Sequence, residues 1–223
     1  MLLRIYKIIS YLICPFIPIY LNNRISLKKE LKDRINERYG YSTINRKKGK
    51  LVWMHAASIG ESLSILPIIS ELEKNTEIKQ ILVTTGTVTS AKIMDQRLKG
   101  KALHQFLPID IPIFIERFLN HWKPSLSIFV ESEIWPNFIS ALSRKNTKLM
   151  ILNGRMTIKS FNNWLRFKQT ASKLFKNFDL CCTQNSDSAF FYENLGIKNT
   201  IYTGNLKFSS EPEITDNKKL QIL

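Results

Sequence analysis

Two hydrophobic periodicities alternate along the chain. Short apolar runs of the kind that form buried strands recur at Leu51–His55, Gln80–Thr85, Ala102–Leu107, Leu126–Val130, Lys148–Leu152, Leu180–Thr183 and Thr200–Thr203. Between most of them lie stretches whose apolar residues are spaced for one face of a helix: Ser62–Glu73, Ser90–Leu98, Pro112–His121, Ile134–Ser143, Ser160–Phe178 and Ser186–Leu195. Strand alternating with helix predicts an α/β fold, with a mostly parallel sheet flanked by helices and right-handed crossovers.

The first residues follow a different pattern. An apolar run from Ile8 to Leu21, interrupted by Ser10, Pro15 and Pro18, precedes a basic flank of Arg24, Lys28, Lys29, Lys32, Arg34 and Arg38. The run falls short of the ~20 residues that span a bilayer, and it has no small-residue cleavage site. Residues 1–21 are therefore expected to form an uncleaved membrane anchor, spanning or lying in the interface, with its basic flank on the cytoplasmic side. The alternative is a helix packed on the domain. Residues 22–50 read as a basic linker with a charged surface helix over about 26–39, ended by Gly40. Residues 51–208 form the α/β domain, and the polar stretch 209–223 reads as a truncated linker.

Composition adds one constraint. At 44% hydrophobic and 23% charged, the 223 residues are ordinary for a protein with a real core. The net charge of +15 is not ordinary and points to anionic partners. No nucleic-acid motif accompanies the charge, so phosphorylated or lipid partners are expected instead. Cys14, Cys181 and Cys182 lack the spacing of a disulfide framework, a redox pair or a zinc site. No metal and no cofactor are expected.

Candidate chemistry gathers where strands end, the edge at which open α/β sheets bind ligands. The run Leu51–Met54 leads through small residues to Glu61 at a helix start, and Ser58-Ile-Gly-Glu61 also fits a capping box. The strand Leu126–Val130 leads directly into Glu131 and Glu133. Glu133 can serve simply as a helix cap, whereas Glu131, straight after a buried strand, needs a partner. Lys207 follows the turn at Gly204 and can hold an anion as a point charge; its bland reading is a solvated lysine. The hydroxyl-rich loop Thr84–Ser90, including Thr85, precedes a helix and can offer amides and hydroxyls to an anion, as can Asn153-Gly-Arg155. Bringing Glu61 near Glu131 would raise its pKa, and a cationic Lys207 would lower it.

In that order, His55-Ala-Ala-Ser-Ile-Gly-Glu61, Leu107-Pro-Ile-Asp110, Glu131-Ser-Glu-Ile-Trp-Pro-Asn137, Asn153-Gly-Arg155 and Thr203-Gly-Asn-Leu-Lys-Phe208 resemble the 3-deoxy-D-manno-octulosonic acid (Kdo) transferases of lipopolysaccharide assembly. The N-terminal anchor followed by Glu37-Arg-Tyr-Gly40 resembles them too. The resemblance implies a GT-B fold, of which this chain would be the Rossmann-like N-terminal, acceptor-binding domain with its anchor helix; the donor-binding C-terminal domain would be missing. It implies inverting transfer of Kdo from CMP-Kdo to a lipid A precursor, lipid IVA, at the cytoplasmic face of the inner membrane. Glu61 would be the general base, and Glu131 and Lys207 would stabilise the transition state. Ser58, Gly60, Thr85, Glu133, Asn153 and Arg155 would line the substrate site. The sequence departs from the family pattern at Gly86, Val88 and Ser90, where Met, Pro and Gly are expected, and at Gly154, where Ala is expected. The other reading is an inactive or partner-dependent, membrane-tethered basic fragment that binds anionic lipid.

Overall fold

A computed structural model describes residues 2–98 and 100–208; the linker expected over 209–223 lies outside them. The N-terminal segment forms α1 (Leu2–Ile13) and α2 (Ile17–Ser26), joined by a 3-10 turn over Cys14–Phe16. Pro15 and Pro18 fall in first-turn positions, where a missing N–H costs nothing, so the helical stretch continues to Ser26. Its 25 residues are long and apolar enough to cross a membrane. Ile5, Ile8, Ile9, Leu12, Phe16 and Ile19 are exposed, while Ile17 and Leu21 pack with Ile111 and Phe114. The segment is thus seated on the domain while most of its apolar surface faces outward.

The linker differs from the expected surface helix. Lys28 turns through a left-handed conformation (φ 57°), and a 3-10 helix over Lys32–Tyr39 ends at Gly40. Gly40 is also left-handed, and a Cβ there would collide with the Phe114 carbonyl. The reason for the difference is a buried ion pair. Arg38 donates to both oxygens of Glu30 (2.9 and 3.1 Å), to the Leu107 carbonyl (2.9 Å) and to the Gly86 carbonyl (2.7 Å). Arg24 donates to the same Glu30 carboxylate (2.9 Å). The charged residues of this segment therefore tie it to the loops that follow two strands.

The domain then runs β1 (Lys50–His55), α3 (Ile59–Ser64), α4 (Leu66–Glu73), β2 (Ile78–Thr85), α5 (Val88–Leu98), β3 (Leu103–Phe106), α6 (Pro112–Trp122), β4 (Leu126–Val130), α7 (Pro136–Arg144), β5 (Lys148–Gly154), α8 (Ile158–Leu165), α9 (Lys168–Phe175), β6 (Leu180–Thr183), α10 (Ser186–Leu195) and β7 (Thr200–Tyr202). The seven strands are parallel in the order β3-β2-β1-β4-β5-β6-β7. One face of the sheet buries an aromatic core around Trp53, Phe118, Trp122, Phe129, Phe138 and Phe175. The other buries an aliphatic core around Val52, Met54, Ile65, Val83 and Ile128.

Two expected helices are each divided. Pro67 cannot donate a helical hydrogen bond, so α3 and α4 part at Ile65. Phe167 leaves the helical well (φ −124°, ψ 43°) between α8 and α9. α7 starts at Pro136 rather than Ile134, because a residue before proline is held extended, as Trp135 is (φ −108°, ψ 99°). The outer edge of β3 is closed by side chains of the linker. Glu37 accepts from the Phe106 N–H (2.6 Å), and Arg34 donates to the His104 carbonyl (3.1 Å).

Removing Arg38 would leave the buried Glu30 carboxylate with Arg24 alone and the Leu107 and Gly86 carbonyls without this donor. Arg38→Ala is expected to lower unfolding stability by about 3 kcal/mol. Adding Glu30→Ala should recover part of that loss, as read by urea midpoints of the single and double variants.

Candidate active site

β1 lies between β2 and β4, so the chain leaves β1 toward one side of the sheet and re-enters on the other. Loops diverge at such a switch point and leave a crevice at the carboxyl ends of the strands. The turn after β1 brings Ser58, Gly60 and Glu61 to it, and the turn after β4 brings Glu131 and Glu133. Lys207 arrives from beyond the sheet edge. After β7 the chain folds back in a 3-10 turn over Leu206–Phe208. Asn153, at the end of β5, holds that turn by accepting from the Leu206 N–H (3.1 Å). Lys207 Nζ then lies 2.8 Å from Glu131 Oε1. The same Nζ comes 3.7 Å from where a Cβ on Gly60 would sit. The partner that Glu131 required is thus Lys207.

Glu131 and Asn153 both hold left-handed backbones (φ 58° and 56°). Asparagine tolerates that conformation, whereas glutamate adopts it only when surrounding contacts enforce it. Here the Glu131 N–H donates to the Leu152 carbonyl (2.9 Å) and its carboxylate meets Lys207. The turn therefore re-aims the Glu131 side chain back over the end of the sheet.

Glu61 realises the capping box. Its N–H donates to Ser58 Oγ (3.3 Å), Ser58 donates back to Glu61 Oε1 (2.7 Å), and the Ala57 N–H donates to Oε2 (2.8 Å). Burial nevertheless raises its pKa above the ordinary 4.5. The bonds from Ser58 and Ala57 oppose the rise, and the charges of Glu133 and Glu131 add to it. Capping and a perturbed acidity coexist on one side chain.

Glu133 does not cap α7. It accepts from the Trp135 indole N–H (2.8 Å) and faces His55 Nε2 at 3.5 Å. Burial works to raise its pKa, but His55 and the indole outweigh that and hold it below the usual value. His55 Nδ1 lies 3.0 Å from the Thr84 carbonyl, which only a protonated Nδ1 can satisfy, so Nε2 is the nitrogen turned toward Glu133. His55 ends β1 opposite Phe129 of β4. Its spacing in sequence from Glu133 gives no hint of that contact; only the adjacency of β1 and β4 does.

Two expected residues stand apart from this group. Thr85 is fully buried and its hydroxyl bonds to His104 Nε2 (3.0 Å). Arg155 is exposed, and its carbonyl accepts from the Tyr192 hydroxyl (3.4 Å). Gly154 is close-packed: a Cβ would come within 3.0 Å of Tyr192, 3.1 Å of Ile151 and 3.2 Å of Cys181. Glycine replaces the expected alanine because these neighbours fill its space. A cavity of 710 Å³ flanks β3, lined by Arg34, Glu37, Asp95 and His104 among others, and none of the candidate residues lines it.

The arrangement places a carboxylate of raised pKa beside a carboxylate–lysine pair in a crevice. Such a group can accept a proton and stabilise charge that develops next to it.

Comparison with known proteins bears on the fold and the family. Two solved UDP-N-acetylglucosamine 2-epimerases share the fold, with TM-scores of 0.55 and 0.52 at 13% and 15% identity; the second is from Neisseria meningitidis. They cover 78% of this chain, which in turn covers 55% and 51% of theirs. At that identity they establish the Rossmann-like, GT-B-type architecture and nothing further. The 3-deoxy-D-manno-octulosonic acid transferase of Rickettsia bellii is 38% identical over 210 residues, which is 94% of this chain and 50% of the relative. That of Rickettsia typhi is 41% identical over 173 residues, covering 78% of this chain and 37% of the relative. A protein from Arabidopsis thaliana described as a probable mitochondrial enzyme of the same name is 34% identical, covering 92% and 47%. The chain thus spans half or less of the length of these relatives. A family profile described as 3-deoxy-D-manno-octulosonic-acid transferase (kdotransferase) matches residues 33–210, and the chain belongs to that glycosyltransferase family.

Proposed function

We propose that this chain is the acceptor-binding half of an inverting Kdo transferase, with Glu61 as its general base. Glu61 takes the proton of a sugar hydroxyl on a lipid A precursor, lipid IVA. The freed oxygen attacks the anomeric carbon of Kdo, and CMP departs with the bonding electrons. Glu131 and Lys207 stabilise the charge that develops between attacking oxygen and leaving group. CMP-Kdo binds to the half of the relatives' length that this chain does not span, and the reaction needs neither metal nor cofactor.

The observation that carries this reading is the convergence of Glu61, Glu131 and Lys207 at one switch point, from turns far apart in sequence. A base must reach its proton and have a pKa suited to the working pH, and burial moves the Glu61 pKa upward, in the direction of the second requirement. Ser58 and Gly60 border the base, Glu133 sets part of its field, and Asn153 fixes the turn that carries Lys207. Thr85 and Arg155 would have to act at the margin of the acceptor site. The apolar helix Leu2–Ser26 and the net charge of +15 suit a protein held at an anionic membrane surface, on the cytoplasmic face of the inner membrane.

The direct test is a transfer assay in detergent with lipid IVA and CMP-Kdo. The chain would be assayed alone and then with a separately expressed C-terminal half of a relative. Product only with the second half supports the proposal. Product from the chain alone would place the donor site here and overturn the division of labour. A folded chain inert in both assays would leave a fragment that binds anionic lipid.

Glu61→Gln preserves the capping box, since glutamine can fill the same position. It should reduce transfer at least about 10²-fold. The fold should not suffer. A carboxyl whose folded pKa is raised binds more protons when folded, so it costs stability once pH rises above its unfolded pKa. Glu61→Gln should therefore unfold at equal or higher temperature than the parent at neutral pH.

Transfer should also fall as pH drops through the raised pKa of Glu61. Glu133→Gln removes a negative charge that contributes to that rise. It should move the acid limb of the rate profile to lower pH by roughly a few tenths of a unit, as measured in kcat against pH.

A further inference from the structure

α7 begins directly after the turn that carries Glu131 and Glu133, yet its own first residues do not cap it. Trp135 stands at the cap position without a side-chain bond to the helix. The capping comes from elsewhere in the chain. Asp110, buried in the loop between β3 and α6, accepts from the Phe138 N–H through Oδ1 (3.0 Å) and from the Asn137 N–H through Oδ2 (3.2 Å). These are two of the donors that the start of a helix leaves unmatched. The Asn137 side-chain amide returns the contact by donating to the Asp110 carbonyl (2.7 Å).

The same group receives α1. The Tyr6 hydroxyl donates to Asp110 Oδ2 (2.9 Å), and Asn137 Nδ2 donates to Ser10 Oγ (3.0 Å). Ser10 in turn donates to the Tyr6 carbonyl (2.8 Å). Tyr6 and Ser10 are four residues apart and so share one face of α1. Neighbouring positions Ile5, Ile8, Ile9 and Leu12 are exposed.

We propose that Asp110 is a positioning residue for the Glu131–Glu133 turn and that α1 is part of its mounting, latched through Tyr6 and Ser10. The turn is fixed on its entry side by the Glu131 N–H bond to the Leu152 carbonyl. On its exit side it is fixed by the first turn of α7, whose start Pro136 sets and whose first amides Asp110 holds against the domain. Burial raises the Asp110 carboxyl, and the three bonds it accepts oppose the rise. A neutral amide in its place could not accept all three through one oxygen with the same strength. The seating of α1 on the domain thereby reaches the carboxylates of the crevice through two short links. The consequence for transfer rests on the function proposed above; the mechanical link does not.

The test is hydrogen exchange by mass spectrometry on the full chain in detergent and on anionic vesicles. The double variant Tyr6→Phe/Ser10→Ala keeps the apolar face and removes only the latch hydroxyls. Exchange of the peptide covering 131–138 should quicken by about tenfold, the effect of losing a hydrogen bond to a charged group. Peptides from β1, β4 and β5 should keep the parent rates. Asp110→Asn should show the same local pattern more strongly. Unchanged exchange at 131–138 in the double variant, or an equal increase across all peptides, would overturn the proposal. In the reconstituted transfer assay the double variant should lower kcat about tenfold with acceptor KM unchanged. Altered exchange together with an active Glu61→Gln enzyme would refute the base and leave the mounting intact.

Discussion

The ion pair between Lys207 and Glu131 is the contact on which the crevice depends. It acts together with the bond from Leu206 to Asn153 and the packing of Leu206 on the aliphatic core to hold the turn over Leu206–Phe208 on the sheet. Without the pair, Glu131 would be a largely buried carboxylate on a left-handed backbone with its charge uncompensated. The Glu131 side chain is 13% exposed and the Lys207 side chain 44%. The lysine therefore remains in contact with solvent, and the pair contributes position more than stability. It brings a cation from beyond the last strand to the side of β1 and β4 where the other charges gather.

Around that pair, three carboxylates meet three different surroundings. Glu61 is raised by burial, Glu133 is lowered by His55 and the Trp135 indole despite its burial, and Glu131 is matched by an ammonium. Separating acidities in this way lets similar groups divide roles between proton acceptor and fixed charge. Glu61 also caps α3, so its orientation is set by local backbone bonds rather than by the ligand. In the role proposed for it, a carboxylate held by its own helix start is pre-aimed, which reduces the reorganisation needed when substrate arrives. Capping and the proposed proton transfer thus use the same geometry.

Much of this was legible in the residues. Buried parallel strands read as unbroken apolar runs, and Leu126–Val130 and Leu180–Thr183 match β4 and β6 without adjustment. Glu61 and Glu131 announced themselves by following such runs. What could not be read is whatever depends on strand order. His55 faces Glu133 because β1 and β4 are neighbours, although β2 and β3 separate them in the chain. Over about 26–39 the charged residues suggest an exposed helix, but charge does not by itself mean exposure. Arg38 and Glu30 are buried as a pair, and a pair has no signature in a one-residue pattern. The start of α7 was legible in principle, since Pro136 forbids the helical conformation at Trp135.

The N-terminal segment joins the two readings that its sequence left open. It is apolar enough for a bilayer, yet it also packs on the domain through Ile17, Leu21, Tyr6 and Ser10. A tether needs only length, and would leave the crevice free to turn in any direction above the lipid. Here the segment meets the domain at both ends: α1 through Asp110 and Asn137, and the stretch after α2 through Glu30 and Arg38. Arg38 reaches the carbonyls of Gly86 and Leu107, at the carboxyl ends of β2 and β3, while Asp110 reaches the first amides of α7. Both attachments fall at the edge of the sheet where the crevice opens. An element seated in this way fixes the orientation of the carboxylates relative to its own apolar surface. For the membrane-borne acceptor proposed above, that orientation would restrict the approaches available to the hydroxyl, as the proposed transfer requires.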